Sequence, residues 1–279
     1  MKILFLTLFL LTSLFGFKFE ISNSEIKNGQ TSLIKFFKED GVEYKYIEVK
    51  DKKYKIFSNS YVYLPIGYYT KAQTLEVNVH YIKNNKPESK LLFFKVVDGG
   101  YKKETLKVDG SKVKLSKKDK KRASKEYAEA MKIYKRVTDK NYIDSAYAMP
   151  MNSKITSEFG NARVFNGSLK SYHSGTDFRA KVGTPIKSVN DGKVVLVKDR
   201  FYSGGSVIVD HGEGVYTCYY HMSKFDVKKG DMVKKGQQLG LSGVSGRVTG
   251  PHLHFSARVS GVQVDPLQFI NLVNKELKL

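Results

Sequence analysis

The sequence has few of the residues that cross-link or stiffen a fold. It contains one cysteine, no tryptophan and six prolines among 279 residues. A single thiol excludes an internal disulfide. Cys218 lies in the strand-like run VYTCYYH, where we predict that it packs as a small hydrophobic residue. A chain of this length can bury a hydrophobic core without disulfides or structural metal ions. Its length suits about two domains.

Long apolar runs are also scarce. One is present, MKILFLTLFLLTSLFG at 1–16, with a lysine near its start. This pattern predicts a secretory signal peptide. A transmembrane anchor is the alternative, although the run is shorter than the roughly 20 residues that a spanning helix needs. No second run of that length follows, so we expect an exported, soluble protein.

Acidic residues are outnumbered, with 27 against 48 Lys and Arg, which gives a net charge of +21. A field of this sign attracts polyanions. Predicted export argues against nucleic acid and leaves anionic cell-wall polymers or lipid headgroups. A general preference of the genome for lysine is the simpler explanation of the excess.

Residues 17–115 show the alternation of half-buried strands. In Leu75–Ile82, apolar residues alternate with polar ones, and His80 falls on the polar face, where we expect it to be solvated. Further strands are predicted at Tyr54–Phe57, Tyr61–Leu64 and Lys90–Val97. The segment is interpreted as a small antiparallel domain, either undivided or in two subdomains.

Residues 116–148 are predicted to form a basic helical linker. Ser116 followed by Asp119 resembles a helix start. Apolar residues then recur at helical spacing: Ala123, Tyr127, Ala130, Met131, Tyr134 and Val137. The basic faces fit either a solvated helix with one packed stripe or a polyanion-binding helix.

From residue 149 the sequence pattern changes, and it predicts short strands separated by turns with frequent glycine. We predict a β-domain over 149–265 and a C-terminal tail at 266–279 that forms a helix. The fold class is therefore mainly β, with one helical connection and a helical tail.

Histidine and aspartate are spaced here in a way that suits a metal. His252 and His254 are two residues apart in a predicted strand, so both side chains face one side while Leu253 faces the other. His173 and Asp177 flank a glycine in a loop-like stretch. Two imidazoles and a carboxylate make a catalytic zinc ligand set. Chance pairing of histidines on strands is the alternative.

Five motifs follow in order between about Thr156 and Val264. They are SEFGNAR, HSGTDFRA, GTPIKSVNDGKVV, GGSVIVDHGEGVYTCYYHM and VKKGDMVKKGQQLGLSGVSGRVTGPHLHF. In this order they resemble the lysostaphin-type (LytM-like) zinc metallopeptidases, which are peptidoglycan endopeptidases. The resemblance implies an antiparallel β-sheet catalytic domain with the metal at the base of a groove.

The resemblance also implies residue roles. His173, Asp177 and His254 match the family's zinc ligands, which implies one Zn²⁺ per chain. His221 and His252 match its catalytic histidines. One of them acts as general base and the other stabilises the developing oxyanion, and the sequence does not distinguish them.

Three other motif residues are interpreted differently. His211 matches a position that is usually structural in the family. Tyr219 precedes His221 by two residues and is expected to share its strand face. Arg163 either binds a substrate carboxylate as a bidentate donor or fixes a loop.

The implied function is hydrolysis of peptide cross-links in peptidoglycan. An N-terminal domain without a recognisable wall-anchoring repeat favours a periplasmic D,D-endopeptidase acting between D-Ala and diaminopimelate, with D,D-carboxypeptidase activity as an extension. Such cleavage remodels the wall and can affect cell shape. Expected partners are peptidoglycan stems and wall-remodelling proteins, with no nucleic acid and no stable membrane insertion.

Two alternatives remain open from the sequence. The first is a non-catalytic regulator, such as an amidase activator, although such relatives have lost zinc ligands. The second is a latent enzyme in which a Glu, Asp, Asn or His80 of 17–115 ligates the zinc.

Overall fold

The computed structural model describes residues 18–57, 60–167 and 169–277, and the predicted signal peptide lies outside them. Strands make up 48 % of the structure against 12 % for helices, with two α-helical segments among the described residues, so the predicted mainly β fold is confirmed. None of the helices in these ranges is long and apolar enough to cross a membrane.

The N-terminal strands form two sheets. Their bounds are β1 Phe19–Ile21, β2 Glu25–Lys27, β3 Thr31–Phe36, β4 Val42–Val49, β5 Lys52–Lys55, β6 Tyr61–Pro65, β7 Gln73–Lys83, β8 Lys86–Val97 and β9 Lys103–Leu106. One sheet has the order β1-β3-β6 and the other β2-β8-β7-β4-β5, whereas β9 joins neither.

Strand β7 confirms that the alternation of apolar and polar residues in the sequence marks a strand with one buried face. Leu75, Val77 and Val79 are buried in a core shared with Ile26 and Ile47. Because successive side chains of a strand face opposite sides, the polar residues between them face outward.

His80 does not fulfil the expectation of a solvated side chain. It is half-buried and its ring stacks on Tyr46, with 4.5 Å between the centroids. Its Nε2 lies 3.1 Å from the carboxylate of Glu48 on the neighbouring strand β4.

The predicted helix is present as α1, Lys117–Tyr134, and Ser116 caps it by accepting a hydrogen bond from the Asp119 amide. The packed face differs from the predicted stripe: Ala130 and Tyr134 are buried, but Tyr127 is 63 % exposed. Glu126 is buried in its place because its carboxylate accepts bonds from the Phe201 amide and from Arg122.

The C-terminal part is built on one large sheet and a separate hairpin. The strands of this part are β10 Ile155–Ser157, β11 Ala162–Phe165, β12 Leu169–Tyr172, β13 Thr176–Arg179, β14 Pro185–Lys187, β15 Gly192–Arg200, β16 Gly204–Gly212, β17 Val215–Phe225, β18 Met232–Val233, β19 Gln238–Ser242, β20 His252–Val259 and β21 Val262–Val264. Strands β11 and β12 form the hairpin, and the others belong to the large sheet. The main order is β10-β13-β20-β17-β16-β15-β18, and every pair in it is antiparallel. The tail forms helix α2, Pro266–Glu276, capped by Asp265.

Strand β9 corrects the expectation that residues 17–115 form a self-contained antiparallel unit. It pairs in parallel with β11, so that Glu104 lies opposite Arg163 and Leu106 opposite Phe165. An upstream strand therefore completes a small sheet with the β11–β12 hairpin of the C-terminal part.

The two parts of the chain also share a hydrophobic core. Tyr63 on β6 packs its ring against Phe269 on α2, with centroids 5.4 Å apart. Thr31 on β3 exchanges two backbone bonds of 2.9 Å with the side-chain amide of Gln268. The N-terminal sheets and the C-terminal helix thus stabilise each other.

Candidate metal centre and active site

All five predicted site residues line one cavity of about 470 Å³. The antiparallel pairing of β13 with β20 places Asp177 opposite His254, and His252 lies on the same face of β20 as His254. Leu253 between them is fully buried, as predicted from the strand period. Residue spacing and sheet register therefore bring these groups together.

The predicted metal ligands form a tight buried group. His173 Nε2 and His254 Nδ1 each lie 2.9 Å from Asp177 Oδ1, and they lie 3.0 Å from each other. Ligands about 2 Å from a tetrahedral zinc ion are roughly 3.3 Å apart. These separations are close to that value, so the three atoms can share one ion.

The tautomer of His173 supports a cation at this place. Its Nδ1–H donates to the Glu158 carbonyl oxygen at 2.7 Å, so a neutral ring has its lone pair on Nε2. In that form the lone pair faces the carboxylate oxygen of Asp177, and a cation can be coordinated by both atoms. A histidine anchored to a carbonyl is the usual arrangement of a metal ligand.

The second carboxylate oxygen of Asp177 is held by a charged relay. Arg163 Nη2 donates to Asp177 Oδ2 at 3.1 Å, and Arg163 Nε donates to Glu104 Oε2 at 3.0 Å. Glu104 Oε1 in turn accepts a bond from Ser157 Oγ at 3.0 Å. Of the two interpretations of Arg163, the contacts favour the positional one, because its guanidinium is already bound by two carboxylates.

The protonation states suit metal binding. Burial alone would raise the pKa of Asp177, but its contacts with His173 and His254 hold it well below the usual range. Burial lowers the pKa of His254 to about 4. At neutral pH the carboxylate is therefore charged and the His254 imidazole neutral, which are the forms that coordinate a metal.

Gly175 explains the glycine between His173 and Asp177. A Cβ atom there would lie 2.6 Å from His254 Nε2 and 2.3 Å from the Phe255 carbonyl oxygen. Only glycine lets the loop pass this close to β20.

His221 and His252 stand beside the ligand group, with 4.8 Å between their ring centroids. His221 Nδ1–H donates to the Ser245 carbonyl and His252 Nδ1–H to the Gly250 carbonyl, each at 2.8 Å. In its neutral form each ring therefore has an unprotonated Nε2. Burial, followed by the neighbouring His252 and His254, lowers the pKa of His221 well below its ordinary value, so this ring is neutral at pH 7.

The prediction that Tyr219 shares a strand face with His221 is wrong. Tyr219 is buried in the core, and Tyr220 lines the cavity instead, stacked on His254. His221 has a left-handed φ of +62°, and the pairing of β16 with β17 shifts register here. The irregularity breaks the strand alternation and turns two consecutive side chains towards the site.

His211 and Cys218 lie away from the cavity. His211 is fully buried, donates from Nδ1 to the Asp191 carbonyl and contacts Thr217 Oγ1 through Nε2. Cys218 is fully buried near the Tyr134 hydroxyl, in agreement with its predicted packing role.

Glu104 and Arg247 are among the cavity residues that the sequence did not reveal. Glu104 gave no signal because its partner Arg163 lies 59 positions away and the pairing is parallel. Arg247 lies in the motif SGRVTGPH, but nothing in its spacing indicated that it lines the cavity.

An antiparallel sheet with a buried His–Asp–His group and two further histidines beside it defines a metallopeptidase domain. Residues 171–266 match the model of peptidase family M23, so this part of the chain is an M23 peptidase domain.

Curated relatives match less than half of the chain. The chain is 43 % identical over 122 residues to the peptidoglycan DD-endopeptidase ShyA of Vibrio cholerae, covering 43 % of this chain and 28 % of ShyA. It is 42 % identical over 104 residues to the glycyl-glycine endopeptidase ALE-1 of Staphylococcus capitis, covering 35 % of this chain and 29 % of ALE-1. The chain thus spans less than a third of either relative.

A solved structure extends the similarity to the N-terminal part. A Pseudomonas aeruginosa protein described as peptidase M23 superposes with a TM-score of 0.68 at 28 % identity, covering 88 % of this chain and 95 % of that one. The arrangement of N-terminal sheets around the peptidase domain is therefore common to both chains.

Proposed function

We propose that this protein is a zinc-dependent peptidoglycan hydrolase that cleaves peptide cross-links in the periplasm. The observation that carries the proposal is the buried His173–Asp177–His254 group with His221 and His252 in the same cavity. One Zn²⁺ per chain fits two imidazoles and one carboxylate, with a coordination position left open.

When bound, the zinc ion supplies Lewis-acid chemistry: it polarises the scissile carbonyl and lowers the pKa of water. The remaining chemistry falls to His221 and His252, whose unprotonated Nε2 atoms can each accept a proton from the attacking water. Once protonated, the same Nε2 donates to the oxyanion or to the leaving amine.

The scissile bond we favour is the one between D-Ala and diaminopimelate, with D,D-carboxypeptidase activity as an extension. The DD-endopeptidase name of ShyA and the whole-chain likeness to the Pseudomonas aeruginosa protein support this choice. A glycine bridge is the second candidate, because the identity to ALE-1 is almost the same. Wall remodelling, with an effect on cell shape, would follow from the first.

The upstream part is proposed to support the site and not to block it. Within the described residues, the His–Asp–His group contains none from 18–115. Glu104 is the upstream carboxylate in the cavity, and its oxygens are bound to Arg163, Ser157 and Asn161. A latent enzyme with an upstream zinc ligand is therefore the less favoured arrangement.

The experiment compares the protein lacking residues 1–16 with His254→Ala and with His80→Ala, a matched control outside the cavity. Each is measured for zinc content and for digestion of two purified walls, one with direct D-Ala–diaminopimelate cross-links and one with glycine bridges. The fragments are identified by mass spectrometry. We expect about one zinc per chain, and conversion of cross-linked dimers to monomers by the wild type and the control only.

The outcomes separate the candidate functions. Fragments from a glycine-bridged wall alone would replace the D,D assignment with the second candidate. Zinc binding without cleavage of either wall would favour the non-catalytic regulator.

A further inference from the structure

Some charged side chains of the cavity form ion pairs with one another and others do not. Asp177, Arg163 and Glu104 form one connected cluster. Arg179 and Arg247 also line the cavity, and neither has an ion pair with any residue that the structure describes. Two acids thus face three guanidinium groups, and the site is positive even before a metal binds.

Arg247 is the better fixed of the two unpaired cations. Its guanidinium carbon lies 4.2 Å from the centroid of the Phe165 ring and 4.6 Å from that of Tyr202. Its backbone amide donates to the Tyr202 carbonyl at 2.8 Å, which holds the loop in place. Aromatic rings contact the faces of a guanidinium and leave its in-plane N–H donors available.

The surroundings make this cation a receptor for an anion. Burial and then the charge of Arg163 lower the pKa of Arg247, because the site disfavours an uncompensated positive charge. A guanidinium nevertheless stays protonated in proteins. An anion that enters the cavity therefore relieves this cost and meets a fork of donors that matches a carboxylate.

We propose that Arg247 binds the carboxylate that lies one carbon beyond the scissile nitrogen of the substrate. This inference rests on the proposed function. The D-Ala–diaminopimelate cross-link carries a free carboxylate at that place, and so does a terminal D-Ala–D-Ala bond. An internal glycine bridge has an amide there. One cation thus accounts for both D,D activities and selects against glycine bridges.

The test uses two pairs of soluble peptides that separate the two sources of the carboxylate. The first pair is a cross-linked stem-peptide dimer with this diaminopimelate carboxylate free or amidated. The second is a pentapeptide that ends in D-Ala–D-Ala or in its amide. A charge-assisted contact of this kind is worth roughly 10- to 100-fold in kcat/KM, so we expect the wild type to prefer each free acid by that factor.

Arg247→Met, whose thioether can still contact the two rings, should bring both acid-to-amide ratios close to one. Arg247→Lys keeps the charge but not the planar fork, and an intermediate ratio is expected. Arg136→Met changes net charge equally from an exposed position and should keep the wild-type ratio.

Equal cleavage of acid and amide by the wild type would overturn the proposal. So would an equal loss on both substrates in Arg247→Met with zinc content retained, since that indicates a structural role. If the wild type cleaves nothing, the binding of the same two pairs of acid and amide peptides to metal-free protein is measured by calorimetry. Preference for the acid that Arg247→Met abolishes supports the site even then, and equal binding rejects it.

Discussion

At the residue scale, three histidines of the site make the same type of hydrogen bond to the backbone. His173, His221 and His252 each place Nδ1 against a backbone carbonyl oxygen, at 2.7–2.8 Å. Since a carbonyl only accepts, each ring carries its proton on Nδ1 and presents Nε2 to the cavity. The orientation of these rings is therefore set by the backbone before any ligand binds.

Sequence patterns predicted part of this arrangement. The period of a strand was sufficient to place His252 and His254 on one face. It failed at His221, because the left-handed backbone there is a local exception that no spacing rule contains. Tautomers depend on which carbonyl lies nearby in three dimensions, so they follow only from the folded chain.

A pH dependence of stability is expected from His211. Burial lowers its pKa from 6.5 to about 4 in the folded protein. The unfolded chain therefore binds the additional proton between those values, and stability is lost as the pH falls from 6.5 towards 4. The full effect is about 3 kcal/mol.

Urea unfolding of wild type and His211→Gln at pH 7.5 and 4.5, with a chelator present to remove any metal, measures this effect. The variant should lose less stability between the two pH values than the wild type. Parallel losses in the two proteins would show that His211 is not the group responsible.

At the scale of elements, β9 is the segment whose position the sequence concealed. Its four residues, Lys103–Leu106, show no distinctive pattern, and the strand that they join begins after helix α1. Helix α1 itself was predictable from its cap and period, although the burial of Glu126 in place of Tyr127 required knowledge of the Phe201 amide.

The relay through β9 predicts an effect on metal affinity. Glu104→Gln removes the charge that holds Arg163, and Arg163 in turn holds Asp177. Partners that orient a ligand typically contribute 10- to 100-fold, so we expect zinc affinity to fall by roughly 10-fold.

Competition with a chelating dye measures that affinity. Glu25→Gln is the matched control. Glu25 forms an exposed ion pair with Lys95, and neither residue lines the cavity. Equal affinities in the two variants would remove the relay from the site.

For the whole molecule, the three-stranded N-terminal sheet and the peptidase part share a core, which includes Leu33 and Tyr63 from the former and Phe255 and Phe269 from the latter. The sequence predicted the elements on each side. It did not predict this contact, because the sequence pattern that marks a tyrosine as buried does not show which element the tyrosine packs against.

A shared core predicts a shared unfolding transition. Tyr63→Ala leaves a cavity against Phe269 and should destabilise the protein by roughly 3–5 kcal/mol. We expect thermal unfolding and zinc release to move together to lower temperature.

Calorimetry and a zinc-sensitive dye follow the two events. Tyr69→Ala is the control, because that ring is 76 % exposed. Zinc release that stays at the wild-type temperature while part of the protein melts early would mean that the two parts unfold separately.

The bonds between Thr31 and Gln268 join positions 237 residues apart. The entropy of closing a loop rises with its length, and contacts at such separation slow folding. During synthesis, strand β3 leaves the ribosome long before α2 exists, so the Thr31 amide and carbonyl wait for their Gln268 partners. Strand β20 with His252 and His254 also follows β13, and His254 lies 77 positions after Asp177. The nascent chain therefore has no complete His–Asp–His group until β20 has been made.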